Sequence, residues 1–197
     1  MSKKVSLIEN ISTFQGEGPD SGRAMLLLRF KKCNMNCEWC DTKVKMRNTM
    51  NSDYELDDIQ KVLDERQLGV MVTGGEPTFL ENYDSTVSLL NDLNYPIANV
   101  ETNGCDLVEL TREVKKEKNV KYIYSPKIFN QSDFNLEAAK CEEVLFGEEN
   151  VYYKIVIDPS YEHYRIFLDF LSKNKVNDRV YLMAEGVTKE QLVKNSY

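Results

Sequence analysis

Apolar residues in this chain fall into short runs separated by longer stretches with helical spacing. Met25-Leu26-Leu27-Leu28-Arg29-Phe30 reads as a strand buried on both faces. Shorter apolar runs over residues 70–72, 97–100, 122–124, 152–157 and 180–183 predict five more strands. Between them, residues 56–68, 83–93, 107–114, 136–144 and 161–171 carry apolar side chains near a 3.6-residue period and predict helices. Six strands alternating with helices imply βα units around a parallel sheet, an α/β fold. A Rossmann-like open sheet is the alternative, but no G-x-G-x-x-G follows any of these strands. No repeat, low-complexity tract or Pro/Gly-rich linker interrupts the pattern, so residues 1–197 are read as a single domain.

The polar residues at the strand ends carry the chemistry. A cysteine loop follows the first predicted strand, and Thr73-Gly74-Gly75-Glu76-Pro77 follows the second. Glu101-Thr102-Asn103-Gly104, Ser125-Pro126-Lys127 and Ala184-Glu185-Gly186 follow the third, fourth and sixth. Singly, each is an ordinary turn or strand stop. Five such motifs after successive parallel strands would gather, in a (β/α) barrel, on the C-terminal face where such enzymes react.

Charge and composition narrow the partners. A net charge of −7 with no basic stripe argues against a nucleic-acid backbone, leaving Lys31-Lys32 and Lys115-Lys116 as solvated surface or local anion contacts. No apolar stretch is long enough for a membrane span, and the N-terminus lacks a signal-peptide core. Three of the five cysteines are clustered, and Cys105 and Cys141 are isolated. Thiols that hold metal need a reducing compartment, so the expectation is a cytoplasmic protein without disulfides.

The cluster itself is Cys33-Asn34-Met35-Asn36-Cys37-Glu38-Trp39-Cys40, spaced C-x₃-C-x₂-C. Three thiolates are one fewer than a closed structural site requires. A zinc site completed by the only histidine, His163, is one reading, and a zinc or iron–sulfur module acting as a redox sensor is the alternative outside enzymology. A [4Fe–4S] cube held by three cysteines, with one iron open to an outside ligand, is the other. In this the segment resembles the radical S-adenosylmethionine (SAM) enzymes.

The order C-x₃-C-x₂-C, G-G-E-P, E-T-N-G, S-P-K resembles the 7-carboxy-7-deazaguanine synthase family of that class. Two features narrow the resemblance: Phe14-Gln15-Gly16-Glu17-Gly18 before the first barrel strand, and the continuation Cys40-Asp41-Thr42. It spans residues 8–186 and implies a compact, partial (β/α)₆ radical SAM barrel that forms a homodimer. The implied reaction converts 6-carboxy-5,6,7,8-tetrahydropterin to 7-carboxy-7-deazaguanine with loss of ammonia, a step toward queuosine. A flavodoxin- or ferredoxin-like donor would supply the electron.

By the same resemblance, Cys33, Cys37 and Cys40 hold the [4Fe–4S] cluster and Thr42 ligates Mg²⁺. Trp39, Cys40, Asp41, Gly74, Gly75, Glu76, Glu101, Asn103, Ser125, Pro126, Lys127 and Glu185 would meet SAM. Phe14, Gln15, Gly16, Glu17, Arg29 and Thr73 would meet the pterin. Arg29 stands out on physical grounds as well. A cation within an apolar strand is costly unless paired, and a substrate carboxylate is a suitable bidentate partner; the alternative is an outward snorkelling side chain. Asp41 could equally be a helix cap or turn residue.

There are departures from the family. Ala184 stands where the family commonly has proline, and a helix beginning near Lys189 is followed only by a few residues. Either the tail is supplied differently or the chain is a truncated or compact, phage-type member, and substrate contacts from the C-terminus are left open. A glycyl-radical enzyme activase shares C-x₃-C-x₂-C and a small barrel and is the alternative within the class, but Q-G-E-G and C-D-T point away from it.

Overall fold

The computed structural model describes residues 3–37, 40, 42–127, 143–157, 163–175, 177–184, 186 and 188–195. Six parallel strands form its centre: β3 (Ala24–Arg29), β5 (Gly69–Thr73), β6 (Ala98–Thr102), β7 (Val120–Tyr124), β8 (Val151–Ile157) and β9 (Val180–Ala184). They lie side by side in chain order and correspond to the six apolar runs. An additional strand, β2 (Glu9–Phe14), pairs antiparallel with β3 and forms one edge of the sheet, with β9 at the other. The sheet is thus an open, partial barrel of α/β type.

The unbroken apolar run of β3 follows from burial on two faces. Leu26 and Leu28 register against Val70 and Val72, which in turn register against Ala98 and Val100. This layer belongs to the main core, where it meets Ile59 and Leu63 of α2 (Leu56–Arg66) and Leu89 and Leu90 of α3 (Leu80–Asp92). The buried positions of α2, Leu56, Ile59 and Leu63, are spaced three and four residues apart and form one helical stripe. Each such leucine or isoleucine removed from water contributes roughly 1.5–3 kcal/mol. The opposite, concave face holds a smaller apolar patch of Met25, Leu27, Met71 and Ile97. Beyond it that face turns polar, with Arg29, Thr73, Glu101 and Lys154 all lining a cleft.

Three strands and one helix go beyond the elements expected from the apolar pattern. β1 (Lys4–Leu7) and β4 (Ser52–Glu55) form a separate two-stranded antiparallel ribbon. β2 reads Glu-Asn-Ile-Ser-Thr-Phe and has no buried residue, so no alternation marks it. α1 (Lys43–Asn48) is a short polar helix after the cysteine loop. The helix expected over residues 83–93 starts earlier, at Leu80. Helix α4 (Leu107–Glu113) and α5 (His163–Lys173) overlap their expected ranges, and α6 (Lys189–Asn195) follows β9. Most of the expected helix 136–144 lies outside the described residues.

Curvature brings distant strands together. Five strand steps separate β2 from β8, about 24 Å in a flat sheet. Yet Glu17, just beyond β2, lies with its Oε2 only 2.8 Å from Lys154 Nζ on β8. Curling of the sheet, with the loop after β2 folded across its concave face, closes that gap.

The loop after β5 seats against the cysteine loop through glycine. Gly75 has φ +53°, and a Cβ there would lie 2.1 Å from the Lys32 carbonyl oxygen. That carbonyl accepts hydrogen bonds from the Glu76 N–H (2.7 Å) and from Asn82 Nδ2 (2.8 Å). Gly75→Ala would add left-handed strain of about 1–3 kcal/mol and also push the two loops apart. The expected outcome is a lower urea midpoint together with reduced iron uptake; an alanine variant that matches the parent in both would contradict this packing.

Candidate active site

The motifs after β3, β5, β6 and β7 open onto one cleft of about 390 Å³, which neither Ala184 nor Gly186 after β9 lines. From the amino-terminal side it is walled by Phe14, Gln15, Gly16 and Glu17, and Arg29 rises from the end of β3. Cys33, Cys37, Cys40 and Thr42 line it, as do Thr73, Gly74, Gly75 and Glu76. Glu101, Asn103, Ser125 and Lys127 complete the far wall. Pro126 is buried but does not line the cleft. Trp39, Asp41 and Glu185 lie outside the described residues.

Of the cysteines, Cys37 is buried, Cys33 and Cys40 are half-buried, and Cys105 is exposed. Burial pushes the Cys33 thiol up, while the Met35 N–H, 3.4 Å from its sulfur, acts in the opposite sense. Among the described residues no three Cys, His, Asp or Glu side chains converge to hold a single metal ion. A cube needs no common point, because its three thiolates bind three different irons. Cys33, Cys37 and Cys40 all line the one cleft, and so fit the three-thiolate set that a [4Fe–4S] cluster would take.

Glu76 is the most buried polar group of the site, 1% exposed. Its Oε1 accepts from Thr78 N (3.0 Å), Thr78 Oγ1 (2.7 Å) and Thr102 Oγ1 (2.6 Å), and Oε2 accepts from Asn103 N (2.6 Å). Burial raises its carboxyl above the usual carboxylate range, and these four donors oppose the rise. Asn103 in turn donates from Nδ2 to Asn34 Oδ1 (2.8 Å), tying the loop after β6 to the cysteine loop.

Arg29 finds an ionic partner within the protein. Glu9 sits directly opposite it in the β2–β3 register and takes its Nε. Nη1 donates to Thr42 Oγ1 at 3.2 Å, and the side chain passes so close over Gly74 that a Cβ there would strike it. The desolvation argument that called for a substrate carboxylate is thus answered partly by Glu9, a residue of a strand the apolar pattern did not reveal.

Lys154, a member of the cleft wall that sequence reasoning missed, donates to Glu17 Oε2 (2.8 Å) and Glu101 Oε2 (2.6 Å). Burial by itself would lower the lysine, but the two carboxylates outweigh it and hold it at about 12. Lys127 is pushed the other way, by burial and then by the nearby Lys154 cation; its Nζ donates to Ser125 Oγ at 2.9 Å. The signal for Lys154 was available: like Arg29, it is a cation inside an apolar strand.

A parallel αβ sheet with a three-cysteine loop after its first strand, and glycine and polar loops at the following strand ends, defines a class. Residues 27–194 match the Radical SAM superfamily, and the chain belongs to that family of enzymes. The family's cofactors are a [4Fe–4S] cluster and SAM. Its relatives include the 7-carboxy-7-deazaguanine synthase of Clostridium acetobutylicum, 29% identical over 200 residues, covering 87% of this chain and 90% of that protein. The synthase of Thermoplasma acidophilum is 29% identical over 158 residues, covering 77% of this chain and 69% of its own. The match to the Haemophilus influenzae synthase, 31% identical over 99 residues, takes in 50% of this chain and 45% of that protein.

Among solved structures, QueE from Escherichia coli superposes with a TM-score of 0.58 at 17% identity, covering 98% of this chain and 88% of that one. Streptococcus suis SuiB bound to S-adenosylmethionine gives 0.56 at 18%, over 85% and 43%. At such identities the two structures establish a shared fold. Among the described residues no helix is long and apolar enough to cross a membrane.

Cys37→Ala is expected to abolish cluster assembly, since two thiolates do not retain the cube. Cys105→Ala should keep it: Cys105 is exposed, lies outside the cysteine loop and does not line the cleft that Cys33, Cys37 and Cys40 share. Iron and sulfide analysis after anaerobic reconstitution checks both; full iron in the first variant, or its loss in the second, would reassign the ligands.

Proposed function

We propose that this radical SAM enzyme is a 7-carboxy-7-deazaguanine synthase, converting 6-carboxy-5,6,7,8-tetrahydropterin to 7-carboxy-7-deazaguanine and ammonia. The observation that carries the reading is that Gln15, Gly16 and Glu17 line the same cleft as the three cysteines, Arg29 and Thr42. Its volume falls in the range of small-molecule sites. The named relatives support it along nearly the whole chain. Substrate equals product plus ammonia in atoms and electrons, so the reaction consumes no net oxidant and allows the cofactor to be regenerated.

Cys33, Cys37 and Cys40 would hold the cluster, and Gly74, Gly75, Glu101, Asn103, Ser125 and Lys127 would border SAM. When bound, cluster and cofactor supply a carbon radical able to abstract a hydrogen from the pterin. The chain's own residues bind and orient. Glycine at residues 74 and 75 lets backbone carbonyls approach an ammonium group. Arg29, gripped on its Nε side by Glu9, directs its fork along the wall toward Thr42, where a substrate carboxylate can be met in bidentate fashion. Phe14, 70% exposed at the mouth, offers a flat apolar face to a heterocycle. Gln15, Gly16, Glu17 and Thr73 border the same space. Thr42 is the proposed protein ligand of a Mg²⁺ that otherwise binds substrate oxygen and water. The Arg29 guanidinium beside it would meet the carboxylate of the same substrate. A homodimer and an external flavodoxin- or ferredoxin-like electron donor belong to the same reading.

With SAM and reductant alone, little 5′-deoxyadenosine should form, and carboxytetrahydropterin should stimulate its formation without net consumption of SAM. Chromatography of the nucleoside and the ultraviolet chromophore of the deazaguanine check this. Cleavage that ignores the pterin and responds to a large protein substrate would overturn the reading in favour of a glycyl-radical activase.

Thr42→Val keeps the side-chain shape and should leave the iron content unchanged. Turnover should fall on the order of 100-fold and lose its dependence on Mg²⁺, as expected of a positioning error. Parent-like turnover and Mg²⁺ response in the valine variant would show that the hydroxyl is no metal ligand.

A further inference from the structure

We propose that Lys154 is a positioning residue that clamps the Q-G-E-G loop to Glu101 of the barrel wall and so presents Glu17 to the substrate. The inference rests on the proposed pterin chemistry for its substrate, but the clamp itself is read from the ionic geometry. Lys154 projects from β8 with its side chain 14% exposed, and its Nζ bridges one oxygen of each carboxylate. Glu101 is 12% exposed and Glu17 42%, so one carboxylate is anchored in the wall and the other is carried on a loop at the cleft.

The loop is also tied to that wall on either side of Glu17, at Gln15 and Asp20, but none of those bonds reaches Glu17 itself. Gly16 has nothing within 4 Å of a would-be Cβ. Glu17 N donates to Gln15 Oε1 (3.3 Å) within the loop itself. Gln15 is the second anchor: Nε2 donates to Glu101 Oε1 (3.2 Å) and Asn99 Oδ1 (3.0 Å). Asn99 continues to Asp20 Oδ2 (2.9 Å), whose other oxygen accepts from Lys121 Nζ (2.9 Å). Gln15 therefore spends both amide hydrogens on the wall, and Lys154 supplies the only ionic link from Glu17 among the described residues. With one Glu17 oxygen engaged by Lys154, the other, Oε1, has no hydrogen-bond partner among the described residues and remains available as an acceptor.

The charged groups facing Lys154 are Glu17, Glu101 and Lys127. Lys127 does not replace it, because its Nζ donates to Ser125. Removal of Lys154 would leave two carboxylates sharing a poorly solvated wall without their cation, which drives the loop-borne Glu17 outward into water.

The test compares the parent with Lys154→Met, which keeps the stem and deletes the charge, and Lys154→Arg, which keeps the charge. Each is reconstituted and bound to SAM, and the stable aromatic analogue 6-carboxypterin is titrated by fluorescence. Lys154→Met should retain the iron content and SAM affinity, bind 6-carboxypterin on the order of 10-fold more weakly, and raise KM for the tetrahydropterin more than it lowers kcat. Lys154→Arg should recover most of the loss. Hydrogen exchange supplies a readout independent of the pterin: the amides of residues 15–18 should exchange faster in Lys154→Met while those of β6 keep parental rates. Unchanged exchange in the loop, or an equal loss of SAM and pterin affinity, would overturn the clamp. A parent enzyme that binds no 6-carboxypterin, with the exchange difference still present, would instead overturn the substrate assignment and leave the clamp supported.

Discussion

The site depends on a carboxylate that has been taken out of water and fully employed. Glu76 receives hydrogen bonds from Thr78 beside it and from Thr102 and Asn103 across the sheet, while its own N–H reaches back to Lys32 at the entrance of the cysteine loop. One side chain and one amide thus connect the loops that follow β3, β5 and β6. Burying an ionisable carboxyl is tolerable only when donors replace the lost hydration, and this one has four. Because these bonds run between loops rather than within one, the positions of the thiols relative to the glycine segment are set by packing that no single loop possesses alone.

Around that anchor the two faces of the sheet divide the work. The helix-covered face is apolar and supplies the stability. The concave face has a small apolar patch and then an array of paired charges: Arg29 with Glu9, Lys154 with Glu17 and Glu101, and Lys121 with Asp20. Such pairs contribute little net stability, since desolvation offsets their attraction. Their value lies in holding direction. Each cation enters from a parallel strand and meets an anion from β2, the turn behind it or β6, so the polar wall forms only once the sheet has curled.

The architecture and the chemistry were legible to different degrees in the amino-acid order. The six central strands are visible because a strand buried on both faces must be continuously apolar. The cysteine, Gly-Gly-Glu-Pro, Glu-Thr-Asn-Gly and Ser-Pro-Lys segments are visible because each terminates such a strand, and parallel strands put all their C-terminal ends on one side. β2 escaped notice because an edge strand buries too little to show a period, and with it went Glu9, the partner of Arg29.

Local sequence, then, determined which residues become strands, which loops carry thiols and glycines, and that these loops share an edge of the sheet. Those properties follow from apolar periodicity and turn chemistry over a few residues. Only the tertiary structure decided the pairings across the concave face: that Lys154 bridges residues 137 and 53 positions away, and that Gln15 meets Asn99. Such contacts depend on the curl of the sheet and the path of the loop after β2. Both are collective results of packing, so nothing in the immediate neighbourhood of Lys154 along the chain specifies them.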